Sequence, residues 1–113
     1  METAIKIEAL DELRSLMGDS LDEVLQTFID YVPGQIDELS TAVMNKDAEG
    51  VFNLAHKMKS SSSSIGALGL AQMAEQIELI GRSGSTEGTA ELLEKLKGMY
   101  SDAEALLLDQ LKK

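Results

Sequence analysis

From Leu21 to Val43 the apolar residues Leu21, Val24, Leu25, Phe28, Ile29, Val32, Ile36, Leu39 and Val43 keep a spacing of three and four without losing phase. Only an α-helix gathers residues so spaced onto one face. The stripe therefore predicts a long amphipathic helix that must bury one side. Pro33 and Gly34 fall inside it. A proline in a helix interior costs about 3 kcal/mol, which leaves a choice between two helices and one kinked helix. The surviving phase favours the kinked helix, with Asp19 or Ser20 as its cap.

The same spacing recurs in four further blocks. Ile5 to Met17 carries Ile7, Leu10, Leu13 and Met17 on one stripe and stops at Gly18, where a C-terminal glycine belongs. It is short and is expected to pack as an accessory. After a turn at Asn45 and Asp47, with Asp47 able to cap, a third helix is expected from Ala48 to about Ile65, stopped by Gly66. A fourth holds Leu70, Met73, Ala74, Ile77 and Ile80 and ends in Gly81-Arg82-Ser83-Gly84. Ser85 or Thr86 opens the last, which carries Leu92, Leu93, Leu96, Met99, Tyr100, Ala103, Leu106, Leu107 and Leu111. Four helices long enough to pair, joined by short connections, predict an all-α antiparallel four-helix bundle with one additional short N-terminal helix.

Composition narrows the function. At 113 residues the chain fits one domain. Aromatic residues make up 4%, poor material for strands. The formal net charge of −10 repels nucleic acid and anionic membranes over most of the surface. There is no cysteine for a disulfide framework, the N-terminus lacks the build of a signal peptide, and no apolar run approaches the roughly 20 residues of a membrane span. A cytoplasmic protein is expected.

The third helix contains the only histidine. At about 100° per residue, Val51, Leu54, Ala55, Met58 and Ile65 cluster on one side and His56 projects roughly 150° away from them. An ordinary core histidine would share the apolar stripe; this one is expected to face water. Its neighbours at i+3, i+4 and i+7 are Lys59, Ser60 and Ser63, one cation and two small residues. No Asp or Glu occurs from Gly50 through Ala74, so all twenty acids lie outside that window. A negative chain that clears like charges from around its histidine is suited to holding an anion there. The plainer readings are a surface histidine in a junction of small residues, with Ser60 to Ser64 as a flexible linker. Against the linker, the apolar frame keeps its phase to Ile65.

Ala55-His56-Lys57-Met58-Lys59-Ser60-Ser61-Ser62, followed by Ile65-Gly66-Ala67, resembles the histidine phosphotransfer signature, in which A-H-x-L-K-G-S-S precedes an apolar residue and G-A. Ser60 stands where many members have Gly, which narrows partner access slightly. The resemblance implies a phosphorelay intermediate that takes a phosphoryl group on His56 from a receiver-domain aspartate and passes it to another receiver. It implies that Lys59 offsets phosphoryl charge. Glu78 matches a position that hydrogen-bonds the other ring nitrogen, though a solvated helix charge is an equal reading of that residue. Gly66 is structural. Docking is expected around His56 through Phe52, Lys57, Ser60, Ser63 and Gly69.

No metal cluster is visible in the chain, so Mg²⁺ is expected with the partner's acidic receiver site. The expected partners are response-regulator receivers or a hybrid sensor histidine kinase, and the expected state is a monomer. Met1 and the Lys112-Lys113 end favour a free-standing protein over an excised segment of a hybrid kinase. Two other readings are a bundle that binds a receiver without being phosphorylated and the dimerising hairpin of a sensor kinase. In the hairpin an acid usually follows the histidine; here Lys57 does, and there is no Gly-rich nucleotide-binding region for self-phosphorylation.

Overall fold

In a computed structural model, which describes residues 4–112, five helices account for most of the described residues. They are α1 (Ile7–Met17), α2 (Ser20–Met44), α3 (Ala48–Ser64), α4 (Leu68–Arg82) and α5 (Thr89–Leu111), with no strand among the described residues. Helices α2 to α5 form a ring in which each packs on its neighbours in sequence and α5 closes against α2. This is the expected antiparallel four-helix bundle. Its 42 Å long dimension matches the roughly 37 Å of the 25-residue α2.

The apolar stripe of α2 enters the core through Leu21, Leu25, Phe28, Val32, Ile36, Leu39 and Ala42, and the helix runs unbroken through Pro33. Val51, Ala55 and Met58 of α3 meet it, with Leu70, Ala74 and Ile77 of α4 and Leu93, Leu96, Ala103 and Leu107 of α5. Helix α3 continues through the serines rather than fraying into a linker. Its Asp47 cap accepts from the Gly50 N–H at 3.0 Å. At its other end Gly66 adopts φ +74°. There the Gly66 N–H donates to the Ser63 carbonyl and the Ala67 N–H to the Ser62 carbonyl, a Schellman closure that reverses the chain and lays α4 beside α3.

Three local expectations are corrected. Helix α1 begins at Ile7, not Ile5; Ile5 is buried just ahead of it, and the Leu70 N–H donates to the Ala4 carbonyl, so this stretch is tied to α4 instead of coiling. Ile7 is 51% exposed and leaves the packed stripe to Leu10, Leu13 and Met17. Asp19 precedes α2 but makes no side-chain cap bond. Neither Ser85 nor Thr86 opens α5. Gly88, at φ +83°, interrupts helical geometry and the helix starts at Thr89. Ser85 Oγ instead accepts the Glu87 N–H, and the Thr86 carbonyl accepts from Thr89 Oγ1.

Candidate functional site

Helices α3 and α4 make the most extensive pairing in the bundle, and the histidine lies along their shared outer seam. With Val51, Ala55, Met58 and Ser62 turned inward, the His56 side chain is left 55% exposed. Directly across the seam, α4 turns Ala71, Ala74, Ile77, Glu78 and Gly81 toward the bundle. Glu78 is therefore only 2% exposed, and the reading of it as a solvated helix charge does not hold.

A carboxylate so buried must find donors. One oxygen of Glu78, Oε2, lies 3.0 Å from His56 Nδ1, and the other, Oε1, lies 2.9 Å from Lys59 Nζ. Burial by itself pushes the Glu78 carboxyl up. The hydrogen bonds from Lys59 and then His56, with the attraction of both charges, outweigh burial and hold the group below its ordinary value. Glu78 is thus an ionised acceptor. Because a carboxylate only accepts, Nδ1 is the ring nitrogen that donates. The neutral imidazole that satisfies this contact carries its hydrogen on Nδ1 and leaves the lone pair on Nε2.

This arrangement corrects the idea of a carboxylate-free surrounding. The window from Gly50 to Ala74 is empty along the chain but not in space, because the turn at Gly66 brings α4 back along α3. Besides Glu78, Glu75 lines the groove shared by Lys59, Ser60 and Ser63 with Ala71 and Gln72. Lys59, 31% exposed, has its ammonium on Glu78; that pairing has no signature along the chain.

Of the other anticipated residues, Ser60 and Ser63 line the seam on one side of His56 and half-buried Phe52 stands on the other. Lys57 is exposed. Gly69 does not join them. It is buried, facing Met73, Lys95 and Met99 in the α4–α5 groove and Ile5 and Ala9 near α1. Gly66 holds the turn, and a side chain there would stand 3.1 Å from Ala9 Cβ.

Arg82 escaped the sequence reading. Its guanidinium carbon lies 5.8 Å from the centre of the Phe52 ring. It is the only cation on α4 and sits one turn after Glu78, a spacing that could have flagged it. Among the described residues no three His, Asp or Glu side chains converge as metal ligands. Both oxygens of Glu78 are already engaged by His56 and Lys59, which leaves the seam without the several free oxygen ligands a hard divalent cation takes. No described helix is long and apolar enough to cross a membrane.

The site is thus a buried carboxylate hydrogen-bonded to a half-exposed histidine on the outer seam of a four-helix bundle. Residues 23–106 match the Hpt domain family, and the chain belongs to that family. It is 26% identical over 107 residues to the aerobic respiration control sensor protein ArcB of Escherichia coli K12, covering 93% of this chain and 14% of ArcB. It is 31% identical over 78 residues to the sensor protein TorS of the same organism, covering 68% of this chain and 8% of TorS. The chain therefore spans only a small part of these sensor proteins. The crystal structure of histidine-containing phosphotransfer protein B from Pseudomonas aeruginosa PAO1 superposes with a TM-score of 0.90, covering 99% of this chain and 97% of that one. At 23% identity, that likeness establishes the fold.

Proposed function

We propose that this chain is a phosphorelay intermediate whose carrier is Nε2 of His56, taking a phosphoryl group from a receiver aspartate and giving it to another. The observation that carries the reading is the 3.0 Å contact of Nδ1 with buried Glu78, which assigns the ring hydrogen to the inner nitrogen and the lone pair to the outer one.

In the accepting direction the Nε2 lone pair attacks phosphorus. The P–O bond to the aspartate breaks and its electron pair leaves with the carboxylate. The imidazole becomes a phosphoimidazolium that keeps its Nδ1 hydrogen, and the Glu78 carboxylate stabilises the positive charge so created. In the donating direction the P–N bond breaks, its pair returns to Nε2, and the ring leaves as the same neutral tautomer. No proton has to move in either direction. Lys59, at the rim of the site, can face the phosphoryl oxygens from its position on Glu78 and offset their charge.

On this reading Mg²⁺ belongs to the receiver's acidic site, where it would neutralise phosphoryl charge when bound. The chain is a carrier without turnover of its own, a monomer working in the cytoplasm, with receivers or a hybrid sensor kinase as partners. Phe52, Lys57, Ser60 and Ser63 would form its docking surface; buried Gly69 would not.

To test this, the protein is mixed with a phosphorylated receiver and Mg²⁺ and the chain is assayed for acid-labile, alkali-stable phosphate. His56→Gln should abolish the label while the helical circular dichroism stays intact. Label that survives the substitution excludes His56; an unlabelled wild-type chain across the source organism's receivers would instead favour a receiver-binding adaptor.

A further inference from the structure

Phe52 stands one turn before His56 on α3, with its ring nearly parallel to the imidazole. The centroids are 6.0 Å apart and the planes differ by 21°. Arg82 lies over the Phe52 ring. Helix α4 can bring it there because Gly81 has no side chain: a Cβ would sit 2.7 Å from the Phe52 amide nitrogen and 2.9 Å from the Ala48 carbonyl oxygen. Close approach of the two backbones thus brings a guanidinium to the phenyl ring that stands beside the imidazole.

The hydrogen bond to Glu78 fixes where Nδ1 is, but one bond does not fix a ring. An imidazole held at a single point and 55% exposed can pivot about that bond, and the pivot sweeps Nε2 sideways. In-line attack on phosphorus tolerates little of that motion. A flat neighbour limits it, because tilting the imidazole away from the Phe52 plane loses the offset stack. Phe52 brings no charge, proton or metal ligand to the reaction. What it controls is the plane of the ring, and Arg82, with a planar group on an aromatic face, limits the freedom of Phe52.

Resting on the assignment of His56 as carrier, we infer that Phe52, backed by Arg82, is a positioning residue for phosphoryl transfer that holds the imidazole plane so that Nε2 meets the phosphorus in line. This goes beyond the docking role anticipated for Phe52, and the two make different predictions. A docking contact sets the receiver concentration needed; a positioning contact sets the rate once the receiver is bound.

Phe52→Leu keeps apolar bulk and removes the flat face. At saturating phosphorylated receiver, where a lost docking contact is masked, its transfer rate should fall roughly three- to tenfold. Phe52→Tyr keeps the face and should retain the rate. Arg82→Lys keeps the charge and loses the planar group, and should cost roughly twofold. In the unphosphorylated protein, Phe52→Leu should also replace the single set of His56 side-chain couplings in NMR spectra by rotamer-averaged values. An unchanged maximal rate in Phe52→Leu, with or without weaker receiver binding, overturns the positioning role. So do His56 couplings that match wild type. The NMR measurement needs no phosphoryl donor, so a wild-type chain that takes no phosphate defeats the carrier reading without obscuring this test.

Discussion

Glu78 and Tyr100 are both ionisable side chains buried in this bundle, one in the α3–α4 seam and one between α5 and α2, and their neighbours drive them in opposite directions. Burial disfavours the charged form of each. Around Glu78 a lysine supplies positive charge and a histidine a hydrogen bond, so the carboxyl is held below its ordinary value. Tyr100 packs on Phe28, with ring centroids 6.1 Å apart. Burial first, and then the carboxylates of Glu104 and Asp30, push its phenol far above the ordinary tyrosine range. A charge is kept inside the α3–α4 seam at the cost of desolvation, whereas Tyr100 between α5 and α2 keeps its phenol protonated and packs on Phe28.

The largest effect should come from removing the charge. Glu78→Ala leaves the His56 tautomer unassigned and its developing positive charge unopposed, and the phosphotransfer rate should drop about 10- to 100-fold, as is usual when a histidine loses its orienting carboxylate. A rate within twofold of wild type would show that the seam's charge is incidental.

Lys59→Met should be felt chiefly in stability, because it strands a buried carboxylate on one partner. We expect a loss on the order of 2 kcal/mol near pH 7, reduced from a fully buried pair because the lysine reaches water. The pH dependence identifies the cause. The folded-state pKa of Glu78 is depressed, so its contribution is present above the unfolded carboxylate pKa and is lost as pH falls through the folded value. Urea unfolding of wild type and Lys59→Met should therefore converge as the pH falls below the ordinary carboxylate range. A difference that does not change with pH would assign the loss to packing alone.

Two helical glycines extend the comparison to the backbone. In Gly81 an added Cβ meets the Phe52 and Ala48 backbones at 2.7 and 2.9 Å; in Gly98 of α5 it meets nothing within 4 Å. Alanine in place of glycine gains up to about 1 kcal/mol of helix propensity at either site. At Gly81 the overpacking, about 1–3 kcal/mol, should win because backbone cannot swing aside. Gly81→Ala should lower the melting temperature and Gly98→Ala raise it. A shift of the same sign in both would mean that the seam relaxes freely.

What could be read along the chain follows from the same physics. The helices were legible because burying one face imposes the three-and-four spacing, which survives Pro33 and the five serines; the orientation of His56 followed from that phase. The errors lie where conformation or pairing decides. Ser85 and Thr86 have the chemistry of caps, but the positive φ of Gly88 sets where α5 starts. The acid-free window was a statement about one stretch of chain, and α4 packing on α3 put Glu78 beside it; the docking role expected for Gly69 failed because Gly69 is buried toward α5 and α1. The Arg82–Phe52 contact depends on how closely Gly81 lets two backbones approach, and the Lys59–Glu78 pair on α4 folding back along α3.

The smallest effect should belong to Tyr100→Phe, and its value lies in its sign. At neutral pH the phenol is uncharged on both sides of the folding equilibrium, so losing the hydroxyl should change stability by no more than about 1 kcal/mol. Tyr100 has a raised folded-state pKa, so the folded protein holds the phenol proton more tightly than the unfolded chain. Its contribution is full below the unfolded tyrosine value and is lost as pH rises through and above it. Wild type should therefore weaken relative to Tyr100→Phe as the pH climbs past about 10, whereas the Glu78 seam weakens on acidification. Parallel stability curves for wild type and Tyr100→Phe across that alkaline range would mean that the α2–α5 side does not discriminate against charge, and the contrast with the seam would be lost.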